Sequence, residues 1–133
     1  LLDIMNKEKL DYTLTFKYLE YSIMENKSEL NKIKHLFLHS KNLKKWMNSF
    51  KLRLEEENRF KPNNLVQKTN PSIIPRNHIV EDVLDKVITD NNYEDYNELY
   101  KILQRPFSNI EEKNRFFFPP NPNDQICKTF CGT

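Results

Sequence analysis

The apolar positions of this chain recur at helical spacing in five stretches, and in none of them do they alternate as in a β-strand. The first stretch follows Asp11, a candidate N-cap. Its apolar residues share one helical face: Tyr12, Phe16, Leu19 and Ile23. The second follows another candidate cap, Ser28, and has three apolar residues in register: Leu30, Ile33 and Phe37. The pattern predicts an all-α fold of about five amphipathic helices.

The third stretch carries the clearest apolar stripe. It begins after Ser40, and its apolar positions lie on one face: Leu43, Trp46, Met47, Phe50 and Leu54. Lysine, arginine and glutamate occupy the other faces, which is typical of a helix that covers a core on one side. Pro62 is expected to end this helix, because proline disfavours helical geometry in the residue before it.

Two further helices are predicted in the second half of the chain. Pro75 fits the first position of the fourth helix, where a missing backbone amide costs nothing. The buried side of that helix is expected to be broad: Ile79, Val80, Val83, Leu84, Val87 and Ile88. The run Asp90-Asn91-Asn92 should end it. The fifth helix stops before Pro106 and contains Tyr96, Leu99, Tyr100 and Leu103.

From residue 107 onward the helical pattern is lost. The segment Phe116 to Pro122 holds three consecutive phenylalanines and three prolines, so neither a helix nor a central strand is expected there. Because phenylalanine rings avoid water, this segment should lie across the surface of a domain with its rings inserted. The chain is therefore predicted to consist of a helical region, residues 1–106, and an extended C-terminal arm, residues 107–133.

Composition narrows the classes of protein that fit. A chain of 133 residues, 38% hydrophobic and 30% charged, is expected to form one globular domain. The net charge of +2 is too small to indicate a nucleic-acid partner, and no apolar run approaches the roughly 20 residues that span a bilayer. A single glycine, Gly132, excludes a glycine-rich phosphate-binding loop. The chain opens at Leu1 without an initiator methionine, which indicates a fragment of a longer protein.

The sequence does not indicate a catalytic or metal site. His35 and His39 have i,i+4 spacing, but zinc needs at least a third protein ligand and His78 is distant, so the pair is interpreted as incidental. A catalytic acid–base pair needs carboxylates that converge in a dry cleft. Nothing indicates such a cleft, and the acidic residues are interpreted as solvated helical faces: Glu55, Glu56, Glu57, Glu81, Asp82, Asp85, Glu94, Asp95 and Glu98.

A polar motif flanks the connector between the third and fourth helices. It consists of Asn70-Pro71 and Arg76-Asn77. Arginine and asparagine side chains can satisfy loose backbone carbonyls and amides between helices. The motif therefore predicts a structural clamp, and contact with a ligand is the alternative.

The two cysteines, Cys127 and Cys131, follow the proline-rich stretch. Zinc sites usually combine a C-x-x-C pair with a second pair, which this chain lacks. Two cysteines outside a disulfide-dense pattern fit a reducing compartment. Three possibilities stay open: inert thiols, a local disulfide, or one thiol that pairs with a cysteine outside this chain and acts as a switch.

Five stretches, in this order, resemble the C-terminal part of the selenoprotein O (SelO) family. The matching residues are Asp11-Tyr12-Thr13-Leu14-Thr15-Phe16; Trp46 with Arg53-Leu54 and Glu57; Asn70-Pro71 with Arg76-Asn77; Leu103-Gln104-Arg105-Pro106-Phe107; and Phe130-Cys131-Gly132-Thr133. Together they cover nearly the whole chain. Their order and spacing make the resemblance specific.

The resemblance implies a pseudokinase fold, that is, a protein kinase-like fold. A protein of this family is expected to bind ATP in a flipped orientation and to transfer AMP to Ser, Thr or Tyr hydroxyls of other proteins. Magnesium would neutralise the phosphates. The residues that bind nucleotide and metal lie upstream of this chain, so none is assigned here, and the chain itself is expected to be non-catalytic. Its implied partners are the upstream kinase-like core and the parent's protein substrates. The implied location is cytoplasmic in bacteria and mitochondrial in eukaryotes.

The resemblance also implies a role for the terminal thiol. The family carries a cysteine near the chain end, in bacterial relatives as one half of a regulatory disulfide with the kinase-like part, and Cys131 matches its position. This chain ends in Cys-Gly-Thr rather than the commoner Cys-Ser-Ser and adds Cys127, so which cysteine pairs is left open.

Two other functions compete with an enzyme fragment. One is a free-standing helical interaction module whose aromatic arm docks on a partner protein. The other is a small thiol redox protein, which is disfavoured because the βαβ context of C-x-x-C redox motifs is missing.

Overall fold

The computed structural model describes residues 1–56, 69–109, 111 and 114–120, and these residues form helices, turns and connecting loops with no strand. The all-α prediction is confirmed. The first compact unit, Leu1–Ser72, contains α1 (Leu2–Lys7), α2 (Tyr12–Ile23), α3 (Lys27–Lys34), a 3-10 turn (His35–Phe37) and α4 (Lys41–Glu56). The second unit, Ile73–Thr133, contains α5 (Asn77–Asp90), α6 (Glu94–Leu103) and a 3-10 turn (Arg115–Phe117). The predicted division at residue 106 stays a prediction.

The sequence pattern did not indicate α1. Six residues make fewer than two helical turns, so a periodic stripe cannot develop, and Met5 is the buried residue of this helix. The residues after α1 connect it to α4, because the amide of Asn42 donates a hydrogen bond of 2.7 Å to Glu8 Oε1.

Helix α2 begins where the sequence predicts, because the Asp11 side chain accepts a hydrogen bond of 2.8 Å from the Leu14 amide. The predicted buried face is wrong, however. Tyr12 is 64% exposed, and Leu19 is the only member of that face that is buried. The helix is instead buried on nearly all sides: Thr13, Leu14, Thr15, Lys17, Tyr18, Leu19, Glu20, Tyr21 and Ser22.

Helix α3 packs against α2 and starts earlier than predicted. The Asn26 side chain accepts a hydrogen bond of 3.3 Å from the Glu29 amide, so Asn26 is the N-cap and Ser28 lies inside the helix. Ile33 and Phe37 are buried as predicted, but Phe37 belongs to the 3-10 turn. Its ring lies 4.7 Å from that of Tyr18, measured between centroids, which joins the turn to α2.

Helix α4 follows Ser40, whose hydroxyl accepts a hydrogen bond of 3.1 Å from the Leu43 amide. Leu43 and Met47 are buried, and the rest of the predicted stripe is half-buried: Trp46, Phe50 and Leu54. Trp46 and Phe50 stack at a centroid distance of 5.0 Å. The predicted stop at Pro62 lies outside the described residues.

Helix α5 begins two residues later than predicted. Pro75 precedes it, and Arg76 is the N-cap, with extended backbone angles of φ −73° and ψ 135°. The Arg76 carbonyl accepts the first hydrogen bond of the helix from the Val80 amide at 2.9 Å. The predicted end is confirmed, because Asn91 adopts a left-handed conformation with φ 51°, which asparagine tolerates better than most residues.

The apolar stripes of α5 and α6 are narrower than predicted. Ile79 and Val83 are buried on α5, but Leu84 is 45% and Ile88 78% exposed. On α6 only Leu99 is buried, whereas two predicted members of its stripe, Tyr96 and Tyr100, are exposed and stacked on each other. On each helix the fully buried stripe is therefore narrow. Other apolar side chains are half-buried, among them Val80, Val87 and Leu103.

The arm contains the predicted inserted rings. Phe116 and Phe117 are buried and Phe118 is half-buried, which confirms the insertion for the first two. The exclusion of helix was wrong at this point, because Arg115–Phe117 forms one 3-10 turn. Such a turn is possible because it ends before the first proline of the run, and the Asn114 side chain caps it by accepting a hydrogen bond of 3.0 Å from the Phe116 amide.

Candidate functional site: the base of the C-terminal arm

The predicted functional residues lie in three places. Cys127 and Cys131 are outside the described residues, so their role stays a prediction. Asn70 and Pro71 are half-buried at the end of the first compact unit. Arg76 is buried at the start of α5 in the second unit, and Asn77 beside it is exposed. Because the two halves of the motif belong to different units, the clamp also stays a prediction.

Neither the histidines nor the carboxylates form a metal site among the described residues. His35 and His39 are both exposed. Within residues 1–56, 69–109, 111 and 114–120, no group of three or more histidine, cysteine, aspartate or glutamate side chains could hold a metal ion. None of the helices searched there is long and apolar enough to cross a membrane.

The second unit contains a closed ring of four charged side chains, which we call the charge ring: Asp82, Lys86, Asp95 and Arg115. The Lys86 ammonium donates hydrogen bonds to Asp82 Oδ2 at 3.1 Å and to Asp95 Oδ2 at 2.8 Å. Arg115 donates to the same two oxygens, with Nη1 at 3.0 Å from Asp82 Oδ2 and Nη2 bound to Asp95 Oδ2. The charge ring thus joins α5, α6 and the arm.

The pKa values of two members reflect this arrangement. Hydrogen bonds to Asp95 and then Asp82 raise the pKa of Lys86. The hydrogen bond from Lys86 is the largest cause that lowers the pKa of Asp95, and Arg115 adds to it. Asp95 therefore stabilises the folded state above the ordinary carboxylate pKa, and this contribution is lost as the pH falls through its lowered value. Lys86 contributes below the ordinary lysine pKa, and its contribution is lost as the pH rises through its raised value.

Further contacts attach the arm next to the charge ring. The Arg115 guanidinium lies over the Phe116 ring, 4.8 Å from its centroid, in cation–π geometry. Asn114 donates a hydrogen bond of 3.4 Å to Glu98 Oε1 on α6. The base of the arm is therefore held by two buried rings, a side-chain cap and a set of ion pairs.

Only part of this site could be found from the sequence. Asp82 and Lys86 are four residues apart on one helix, a spacing that indicates an ion pair. Arg115 is 33 residues from Asp82 and lies beyond a loop, so no local pattern indicates their contact. Interpreting the acidic residues as a solvated face fits their exposure for most members, but Asp95 is half-buried and ion-paired.

The first unit contains a buried pair of opposite charges. Lys17 Nζ lies 2.9 Å from Glu20 Oε1, and both residues are only 2% exposed. The Lys17 ammonium also lies 5.2 Å from the centroid of the Tyr21 ring. The other carboxylate oxygen of Glu20 is buried without a hydrogen-bond partner. The sequence gives no sign of this pair, because lysine and glutamate three residues apart are common on exposed helices.

The first unit also has an open cleft between α1 and α4, with a volume of about 450 Å³. It is lined by Asp3, Ile4, Lys7, Glu8, Asn42, Lys45, Trp46 and Ser49. Hydrogen bonds with Ser40 and Asn42 lower the pKa of Glu8, which keeps this carboxylate ionised. A charged, hydrogen-bonded carboxylate is a poor proton donor, so Glu8 is not a candidate general acid.

Comparison with known proteins decides the family. The family model described as protein adenylyltransferase SelO matches residues 1–104. The chain belongs to the SelO family. The SelO match ends just before the arm, whereas alignments with individual relatives extend over the whole chain.

Three SelO relatives illustrate the similarity. Proteins named protein nucleotidyltransferase YdiU from Bacillus cereus and Bacillus anthracis are each 35% identical to this chain over 135 aligned residues. A protein of the same name from Maridesulfovibrio salexigens is 32% identical. Each alignment covers 100% of this chain but only 26% or 27% of the relative, so the chain spans about a quarter of the length of these curated relatives. No solved structure matches the chain.

Proposed function

We propose that this chain is the helical C-terminal region of a SelO-type protein adenylyltransferase, which transfers AMP from ATP to Ser, Thr or Tyr hydroxyls of proteins. The observation that carries the proposal is the 35% identity over the whole chain to relatives named protein nucleotidyltransferase YdiU. The chain corresponds to about a quarter of those relatives, so most of such an enzyme lies outside it.

The chain's own part in the reaction is structural and regulatory. The nucleotide, the magnesium and the residues that hold them belong to the kinase-like core of the parent protein. The single glycine supports this division, because a glycine-rich phosphate-binding loop needs several glycines. The chain's proposed partner is that core, and exposed apolar side chains such as Leu84 and Ile88 are candidates to cover its surface.

The proposal predicts that the intact parent protein transfers AMP and that the 133-residue chain alone does not. Incubated with radiolabelled ATP and magnesium, the intact parent protein is expected to label protein hydroxyls. The 133-residue chain alone should label none, because it has no glycine-rich loop that could hold the phosphates. Circular dichroism of the isolated chain is the control, since only a helical chain makes its inactivity informative. AMP transfer by the chain alone contradicts the non-catalytic role, and no transfer by the intact protein contradicts the proposed activity.

We also propose that Cys131 is a redox-regulatory thiol that forms a disulfide with a cysteine of the kinase-like core. Glutathione disulfide would serve as the oxidant: two protein thiols lose two protons and two electrons, and it is reduced to two glutathione thiols. Cys131 lies 14 residues beyond the buried Phe117, so its partner must be within about 50 Å of that ring.

Oxidation of the intact protein tests this role. Peptide mapping after treatment with glutathione disulfide is expected to find Cys131 cross-linked to a core cysteine. The Cys131→Ser variant should lose the cross-link, and the matched Cys127→Ser variant should keep it. If Cys131 is recovered only as the free or glutathione-capped thiol, the regulatory role is wrong. If Cys127→Ser is the variant that loses the cross-link, the assignment passes to Cys127.

The competing hypothesis is a free-standing helical interaction module whose aromatic arm docks on a partner protein. Two rings of the arm, Phe116 and Phe117, are buried within this chain and contribute to its own stability. Membership of the SelO family supports the enzyme fragment over this module.

A further inference from the structure

We propose that the charge ring is a salt-sensitive clasp that controls how often the aromatic turn Arg115–Phe117 leaves the α5–α6 pair. This inference is independent of the proposed enzymatic function, because it concerns contacts within the second unit alone.

The connectivity of the charge ring is the first argument. Each of its cations binds both of its carboxylates, so the four side chains close a cycle rather than form separate pairs. Lys86 alone can hold α5 to α6, because it reaches Asp82 and Asp95 without the arm. Arg115 is the member that adds the arm to this connection. Removing Arg115 should therefore loosen the arm and leave the helix pair connected.

The exposure of the charge ring is the second argument. The side chains of Arg115 and Asp82 are about half exposed, at 50% and 48%. Ion pairs at such positions are screened by dissolved salt, whereas a buried pair is screened much less. The Lys17–Glu20 pair, almost completely buried, is the contrasting case within the same chain. The attachment of the arm is thus a charged contact that ionic strength can adjust.

The position of Arg115 is the third argument. Its neighbour in the chain, Phe116, is buried, and the guanidinium covers the ring of that phenylalanine. When the turn leaves the surface, the ion pairs of Arg115 and the burial of two rings are lost together. Ring burial keeps the turn docked most of the time, and the charge ring sets how small the released fraction is.

Hydrogen exchange of the Phe116 and Phe117 amides in the intact protein tests the clasp. Both amides are protected in the docked turn, where they donate to the Asn114 side chain and the Asn114 carbonyl. The Arg115→Ala variant is expected to exchange these amides about five-fold faster, the effect of losing about 1 kcal/mol of exposed ion pairs. Arg115→Lys should give an intermediate rate, because an ammonium keeps the charge but lacks the planar fork that reaches two carboxylates.

Salt and matched variants complete the experiment. In the wild type, 500 mM sodium chloride should speed exchange of the same amides, and in Arg115→Ala it should have little further effect. Arg105→Ala removes an exposed arginine near the end of α6 and should leave the rates unchanged. In a double-mutant cycle, Asp82→Asn combined with Arg115→Ala should raise the rate by less than the product of the single effects.

The outcomes separate a clasp from an incidental contact. Faster exchange in Arg115→Ala with lost salt sensitivity and a non-additive cycle supports the clasp. Exchange rates that equal the wild type in Arg115→Ala, or that keep the full salt response, overturn it. Multiplicative effects in the cycle also overturn it, because they mean that Asp82 and Arg115 act separately.

Discussion

Replacing Lys17 with alanine is expected to lower the free energy of unfolding by about 3–5 kcal/mol. The ammonium lies 2.9 Å from Glu20 Oε1, and both side chains are almost fully buried. Without Lys17 the Glu20 carboxylate becomes a buried charge with no cation beside it. Its other oxygen already lacks a hydrogen-bond partner, so the described residues offer no second donor that could compensate.

Urea unfolding of the 133-residue chain, followed by Trp46 fluorescence, measures this loss. Trp46 is the single tryptophan and belongs to the same compact unit as Lys17. Lys34→Ala is the matched control, because Lys34 is an exposed helical lysine and its loss should cost less than about 0.5 kcal/mol. The double variant Lys17→Met, Glu20→Leu should be close to the wild type or more stable, since two apolar side chains need no partner. A cost below about 1 kcal/mol for Lys17→Ala contradicts the buried pair.

Replacing Phe116 with alanine is expected to cost about 3–5 kcal/mol, because the ring is 1% exposed and its removal leaves a cavity. The cation–π contact with Arg115 is lost with the ring. Circular dichroism at 222 nm during heating measures overall stability, and hydrogen exchange of the α6 amides shows whether the second unit is affected. The same substitution at Phe117, which is also buried, should have a similar effect.

Phe107 provides the comparison for this prediction. It is a phenylalanine of the same unit but is 47% exposed, so Phe107→Ala should cost much less, under about 1 kcal/mol. Equal costs at Phe107 and Phe116 would contradict the insertion of the arm's rings. Loss of helicity at α6 in Phe116→Ala with unchanged α2 would show that the arm stabilises its own unit.

The sequence predicted helix ends reliably where a cap depends only on residues a few positions away. Asp11 was identified as an N-cap because a side-chain oxygen three residues before a backbone amide satisfies it without help from the rest of the fold. The run around Asn91 ended α5 because asparagine adopts the left-handed conformation at low cost. The cap at Ser28 failed because Asn26, two residues earlier, offers the same chemistry in a position that the turn after α2 makes available.

Burial was predicted less well than helicity. Periodicity identifies which residues share a face, but it does not say how many faces are covered. For α2 it placed Tyr12 inside and missed Lys17 and Glu20, because α2 is covered on nearly all sides. For α5, periodicity predicted more burial than the structure has, because Leu84 and Ile88 are exposed. The number of neighbours around a helix is a property of the assembled chain.

The amino-acid order by itself determined the all-α class, most helix positions, the insertion of the phenylalanines and the membership of the SelO family, because these depend on residues close together in the chain or on matching segments of it. Only the tertiary structure decided that Lys17 and Glu20 are buried and that Arg115 completes a ring with residues of α5 and α6. Such contacts form between segments up to 33 residues apart, and their energies depend on burial, which arises only when the helices pack.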